Sequence, residues 1–180
     1  MTSSAATARR PRALYLLRHA KSSWDDSDLD DHDRPLAPRG ARAAAKMARH
    51  LRSEGIQPAL VLCSSARRAR ETLDLISPAL GDAAVWMEPE LYGADAGDLL
   101  RRLRRLPSAV PSAMLIGHAP GLQVLALRLA GGGDVAALAR LRAKMPTAAL
   151  ATLVLPPTDW ARLDPGSAKL AGFVVPRDLS

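Results

Sequence analysis

Two histidines and a group of arginines in this chain each follow a short apolar run. Arg18 and His19 come after ALYLL, Ser64 to Arg70 after ALVLC, and His118 after AMLIG. Guanidinium and imidazole groups gathered at one place suit a phosphoryl group, whose negative oxygens need fixed donors during transfer. A neutral imidazole whose second nitrogen is held by an acceptor can itself attack phosphorus, giving a covalent phosphohistidine without a metal. Other chemistries lack their motifs: GxxxxGK[ST], GxGxxG and GxSxG are all absent.

For these residues to meet, the runs before them must be neighbouring strands with their carboxyl ends at one edge, because loops and helix N-termini converge there. The spacing supports this. Residues 13–17, 59–63, 85–87, 113–117, 148–155 and 169–175 read as six strands. Between them, residues 39–52 carry Ala44, Met47, Ala48 and Leu51 at helical spacing. The helix after Ser64 or Ser65, either a candidate N-cap, runs to about Ser77 with Ala69, Thr72, Leu73 and Ile76 on one face. That leaves Arg67, Arg68 and Arg70 off its packing face. Further helices are expected over 95–106 and from Pro120, the latter ended by Gly131–Gly133. Alternation of this kind predicts a three-layer α/β/α domain, a mostly parallel sheet of about six strands with helices on both faces. Residues 13–180 are expected to form that one domain and residues 1–12 a disordered basic tail.

Composition removes several alternatives. With 180 residues, 48% hydrophobic and 24% charged, the chain is no disordered polymer and can build a core without staples. The lone Cys63 forms no internal disulfide or cysteine metal cluster, which excludes a zinc finger and favours a reducing compartment. It is expected to be buried and inert. The net charge of +7 invites a nucleic-acid partner, but three of the cations, Arg9, Arg10 and Arg12, lie in the first twelve residues. Aromatics are only 3% and never interleave with arginines, so no stacking platform for single strands is expected. MTSSAATARRPR lacks the apolar core of a secretory signal, and no run of about 18 uncharged apolar residues exists. A cytoplasmic protein with no nucleic-acid or membrane partner is expected. The arginines at 101, 102, 104 and 105 read as a solvated helix face, with an acidic-partner surface as the alternative.

LRHAKS at 17–22, SSARRARET at 64–72 and IGHAPG at 116–121, in that order, resemble the histidine phosphatase superfamily, also called phosphoglycerate mutase-like. Within it, RPLAPRG at 34–40 and the closing WARLDPGSAKLAGFVVP resemble the SixA-like phosphohistidine phosphatases. The resemblance implies that fold. It implies His19 as nucleophile, Arg18 and Arg68 as phosphate clamps, and His118 as a donor to the opposite side of the phosphate. Ser64, Ala69 and Thr72 complete the second motif. The implied activity is a cofactor-free, metal-independent phosphatase. It would take a phosphorylated protein, or else a small phosphorylated substrate, and hold phosphate-like anions in its site.

Departures from the family pattern bear on mechanism. Ala20 replaces the usual glycine and Lys21 the usual acid or amide, and Asp25 follows Trp24 where asparagine is common, so Ser22 is the candidate substitute donor. Many members place a glutamic acid two residues after a leucine beyond the third strand; LYG at 91–93 puts Gly93 there. Glu90 and Asp95 are the nearest candidate acids, with the loop carboxylates of residues 25–33 as a further source. An alkoxide leaving group needs such an acid, whereas an imidazole protonated on its other nitrogen leaves neutral. A phosphoramidate substrate is therefore favoured, with a phosphomonoesterase or a non-catalytic phosphohistidine-binding domain as alternatives. His32 and His50 have no motif context and read as surface residues, and Trp24 either lines the pocket mouth or pins its loop.

Overall fold

In the computed structural model, which describes residues 10–180, seven strands share one sheet. They are β1 (Arg12–Arg18), β2 (Leu60–Ser64), β3 (Ala84–Glu88), β4 (Ser112–Gly117), β5 (Ala130–Gly133), β6 (Leu150–Leu155) and β7 (Ala168–Val174). Their order in the sheet is β3-β2-β4-β1-β6-β7-β5. The pairs β3-β2, β2-β4, β4-β1 and β7-β5 are parallel, and β6 runs against both β1 and β7. The sheet is thus mostly parallel, with β6 as its reversed strand.

Five helices cover it: α1 (Pro38–Ser53), α2 (Arg67–Ile76), α3 (Ala96–Arg104), α4 (Gly121–Leu129) and α5 (Val135–Ala143). Alternation along the strands divides the core in two. Leu14 and Leu16 of β1 pack with Leu62 and Leu115 against α3, α4 and α5, whereas Leu17 packs with Val61, Cys63 and Met114 against α1 and α2. Each fully buried aliphatic side chain contributes about 1.5–3 kcal/mol, which makes both faces of the sheet stabilising. The result is the expected α/β/α sandwich. Because the helix after β1 lies on one face and the helix after the adjacent β4 on the other, a crevice opens between their carboxyl ends.

Several expectations need correction. The sheet has seven strands rather than six, because Gly131–Gly133 form edge strand β5 instead of only ending α4. A Cβ at Gly131 would lie 2.0 Å from the Gly166 carbonyl oxygen, so a bare backbone is what allows this approach. Helix α5 had no counterpart in the sequence reading; Asp134 caps it by accepting from the Ala137 amide at 2.7 Å. Neither Ser64 nor Ser65 is the N-cap of α2, a position held by Ala66, and Pro120 is the N-cap of α4 rather than part of its first turn. Arg12 belongs to β1 and is buried and Arg10 and Pro11 are exposed, while residues 1–9 of the predicted tail lie outside the described residues. Among the described residues, no helix is long and apolar enough to cross a membrane.

Candidate active site

His19 is the first residue beyond β1 and is only 7% exposed. Its Nδ1 lies 2.7 Å from the carbonyl oxygen of Ala20. That oxygen can only accept, so Nδ1 carries the hydrogen and Nε2 the lone pair of the neutral ring. Burial is the main reason its pKa falls to about 3, reinforced by the nearby His118, Arg68 and Arg18. His19 is therefore a neutral imidazole at pH 7, oriented by its own backbone.

Of the three arginines opening α2, only Arg68 turns inward. Arg67 is exposed and pairs with Glu71 at 2.7 Å, Arg70 is exposed, and Arg68 is 5% exposed. The helical pattern correctly keeps Arg68 out of the apolar core, but the loop before α1 buries it. Its Nε donates to His19 Nε2 at 3.3 Å, its Nη2 to Asp31 Oδ2 at 3.0 Å, and its Nη1 to the Asp31 backbone oxygen. Thr72, one turn along α2, ties this arginine's backbone to the segment that follows His19. Its hydroxyl donates to the Arg68 carbonyl at 2.6 Å and accepts from the Ala20 amide at 2.9 Å.

Arg18, the last residue of β1, donates through Nη1 to the Met145 carbonyl at 2.7 Å. Its buried Nε has no hydrogen-bond partner among the described residues, an arrangement that costs about 1–3 kcal/mol until an acceptor arrives. Burial, then the charge of Arg68, lowers its pKa. His118 follows β4, with its ring centroid 5.1 Å from that of His19 and tilted by 53°. Ser64 Oγ holds its Nε2 at 2.8 Å and also accepts from the Ala66 amide at 3.3 Å. Burial, then Arg68, lowers the His118 pKa to about 4.

These residues line a cavity of about 440 Å³ together with Ser22, Trp24, Asp31, Arg34, Tyr92 and Gly93. Ser22 is buried and forms a bridge with Leu36, beyond the loop. Trp24 both lines the mouth and pins the loop: it is 69% exposed, yet Arg34 stacks on it with its guanidinium carbon 3.4 Å from the ring centroid. Ala20 is fully buried without entering left-handed backbone, so its methyl is accommodated. The glycine of RPLAPRG is more constrained, because a Cβ at Gly40 would lie 2.1 Å from the Lys21 carbonyl oxygen.

Neither candidate acid reaches this cavity. Asp95 caps α3, accepting from the Asp98 amide at 2.8 Å, and this hydrogen bond holds its carboxyl below the usual range. Glu90 lies in a separate hollow beside Arg101 and Arg105. The carboxylate that does line the cavity is Asp31, one of the loop carboxylates of residues 25–33 named as a further source of an acid. It accepts from Tyr92 at 2.7 Å and from Arg34 and Arg68, and these contacts, Tyr92 first, hold its pKa at about 2. Arg34, Tyr92 and Asp31 were not singled out by sequence; their signals were the RPLAPRG motif and the LYG tripeptide. His32 is half-buried rather than a plain surface residue, with Nε2 3.0 Å from Ser65 Oγ and its ring edge-on to Tyr92 at 5.0 Å. On α3, Arg101, Arg102 and Arg104 are paired with Asp98, Glu88 and Asp164.

Residues 14–114 match the family model of the histidine phosphatase superfamily (branch 1). A Mycobacterium tuberculosis protein described as uncharacterized is 40% identical over 163 residues, covering 89% of this chain and 100% of that one. A chloroplastic Arabidopsis thaliana protein, likewise described as uncharacterized, is 36% identical over 179 residues, covering 92% of this chain and 78% of that one. Among solved structures, a Nakamurella multipartitia protein described as a phosphohistidine phosphatase SixA superposes with TM-score 0.78 at 30% identity, over 92% of this chain and 96% of that one. The protein histidine phosphatase SixA complexed with tungstate gives TM-score 0.73 at 25% identity, over 92% and 98% of the two chains.

Proposed function

Because the chain belongs to the histidine phosphatase superfamily, we propose that it is a phosphatase for protein phosphohistidine, with the phosphoryl group carried transiently on His19. The observation that carries this reading is a neutral imidazole with Arg68 3.3 Å from its Nε2 and Arg18 lining the same cavity, whose lining carboxylate is held ionised. The similarity to a SixA that binds tungstate, a phosphate-like anion, supports the same reading.

The steps follow from the groups present. The substrate phosphoryl oxygens accept from Arg18, Arg68 and His118, so charge developing on them meets fixed donors. The 3.3 Å contact between Arg68 and His19 is long for a hydrogen bond and is exchanged for phosphate oxygens. His19 Nε2 then attacks phosphorus in line with the substrate's P–N bond. A P–N bond forms to His19, the substrate P–N bond breaks, and its electron pair returns to the substrate imidazole. That ring, already protonated on its other nitrogen, departs neutral. Water attacks phospho-His19 in a second displacement, giving inorganic phosphate and restoring the imidazole.

The missing acid fits this substrate class. Asp31, with a pKa of about 2, has no proton to give at neutral pH. A phosphate ester of an aliphatic alcohol or a phenol (pKa about 10) needs one, whereas an imidazole leaving group (pKa about 6.5) does not. The test compares phosphate release from a phosphohistidine peptide and from phenyl phosphate, with EDTA present, by the wild type and His19→Ala. Rapid release from the peptide, slow release from the ester and loss of both in the variant are expected. Preference for the ester would instead identify a phosphomonoesterase, and peptide binding without turnover a non-catalytic reader.

A further inference from the structure

We propose that the hollow beside the phosphate cavity is a docking groove for an acidic stretch of the substrate protein next to its phosphohistidine. The proposal rests on the phosphohistidine reading and adds to it what surrounds the phosphorylated residue.

The hollow, about 590 Å³, lies between α1, α5 and the end of β7, and it shares Lys21 and Thr147 with the phosphate cavity. A chain whose phosphohistidine reaches His19 therefore enters this groove directly. The floor is apolar, built on the buried Phe173 and Val175. The rim is cationic. Lys21, Arg39 and Lys144 have no carboxylate within ion-pair distance among the described residues, whereas the other two rim cations, Arg140 and Arg177, both pair with Asp178. Arg39 and Lys144 are exposed.

The arginine-rich helix α3, the alternative acidic-partner surface, differs. Three of its arginines are already paired with this chain's own carboxylates, two of them with residues outside the helix. Unpaired cations around an apolar floor, continuous with the reaction site, complement a polypeptide that lays aliphatic carbons on the floor and carboxylates at the rim.

The experiment uses the full chain and four substrates: a phosphohistidine peptide flanked by glutamates, the same peptide flanked by glutamines, and two without flanks, phosphoramidate and the ester phenyl phosphate. The wild type should show a KM about three- to tenfold lower for the glutamate peptide, with the advantage shrinking as salt rises. The double variant Arg39→Glu/Lys144→Glu should abolish that advantage while leaving peptide kcat and phosphoramidate turnover unchanged. The milder Arg39→Gln/Lys144→Gln should reduce it, which guards against a folding defect in the first variant. Equal KM for the two peptides, both hydrolysed well, would overturn the groove and leave the phosphohistidine reading intact. Failure to hydrolyse either peptide while phenyl phosphate turns over would overturn both.

Discussion

The neutrality of His19 has a cost that acid titration measures. In the unfolded chain a histidine takes up a proton near pH 6.5, whereas the folded site holds His19 down to about 3. Between those values the unfolded chain binds a proton that the fold refuses, so this contribution to stability falls as pH drops from about 6.5 and levels off near 3. The slope is about 1.4 kcal/mol per pH unit for one histidine, which gives about 2–3 kcal/mol lost between pH 7 and about 4.5. His118, lowered to about 4, acts in the same sense. Part of the His19 depression is the charge of His118, so together they lose less than the sum of the two taken separately. Asp31 does not confuse the window, because its depressed pKa makes it lose stability only as pH falls below its unfolded value, near 3.9. A domain with a margin of about 5–15 kcal/mol should then be severely weakened by pH 4.5. Urea denaturation of the wild type and His19→Gln at several pH values between about 7 and 4.5 tests this, and the variant should show about half the wild-type loss. Parallel slopes would mean that the fold does not hold His19 neutral, and the nucleophile assignment would lose its physical basis.

Three other outcomes follow from the same geometry. Arg68→Lys should lower the single-turnover rate on phosphoramidate by about 10²–10³-fold, because an ammonium cannot reproduce three donors aimed in fixed directions; a loss under about tenfold would argue against the clamp. Gly40→Ala forces its new methyl against the Lys21 carbonyl oxygen, so the urea midpoint should fall by the equivalent of about 1–3 kcal/mol, and an unchanged midpoint would contradict that contact. Cys63 is fully buried with its thiol pushed up to about 12, mainly by desolvation. It should therefore resist iodoacetamide in the native protein and react once the chain is unfolded in urea, and rapid native labelling, read by mass spectrometry, would refute the burial.

What the sequence made legible divides along a physical line. Arg18, His19 and His118 stand at the ends of apolar runs, and parallel strands carry whatever follows them to one edge, so local pattern was enough to bring them together. Arg68 was harder. Helical spacing placed it off the packing face together with Arg67 and Arg70, and only the family motif selected it, because the surface that buries it is a loop rather than the core. The fifth helix was missed because an alanine- and arginine-rich segment that buries little more than Ala137 and Leu141 leaves almost no stripe to read. The glycine run was misread because glycine marks helix ends and close backbone approach alike, and only the position of Gly166 decides between them.

Asp31 is the residue on which the proposed chemistry turns, and one-dimensional reasoning had little purchase on it. It is one of six aspartates between residues 25 and 33, all equally polar in sequence. What distinguishes it is contact with Tyr92, Arg34 and Arg68, groups drawn from three separate stretches of the chain. Those contacts also exclude a role that sequence had left open. A loop carboxylate able to swing in as a general acid would need to hold its proton near neutral pH, and three donors turned on Asp31 do the opposite. Asp95 is likewise committed, to the helix cap, so neither carboxylate holds a proton for a leaving group near neutral pH, and on the proposed reading that proton comes with the substrate. An imidazole brings it and an alcohol does not, so under the proposed function the same contacts that fix Arg68 beside His19 would also narrow the substrates turned over quickly.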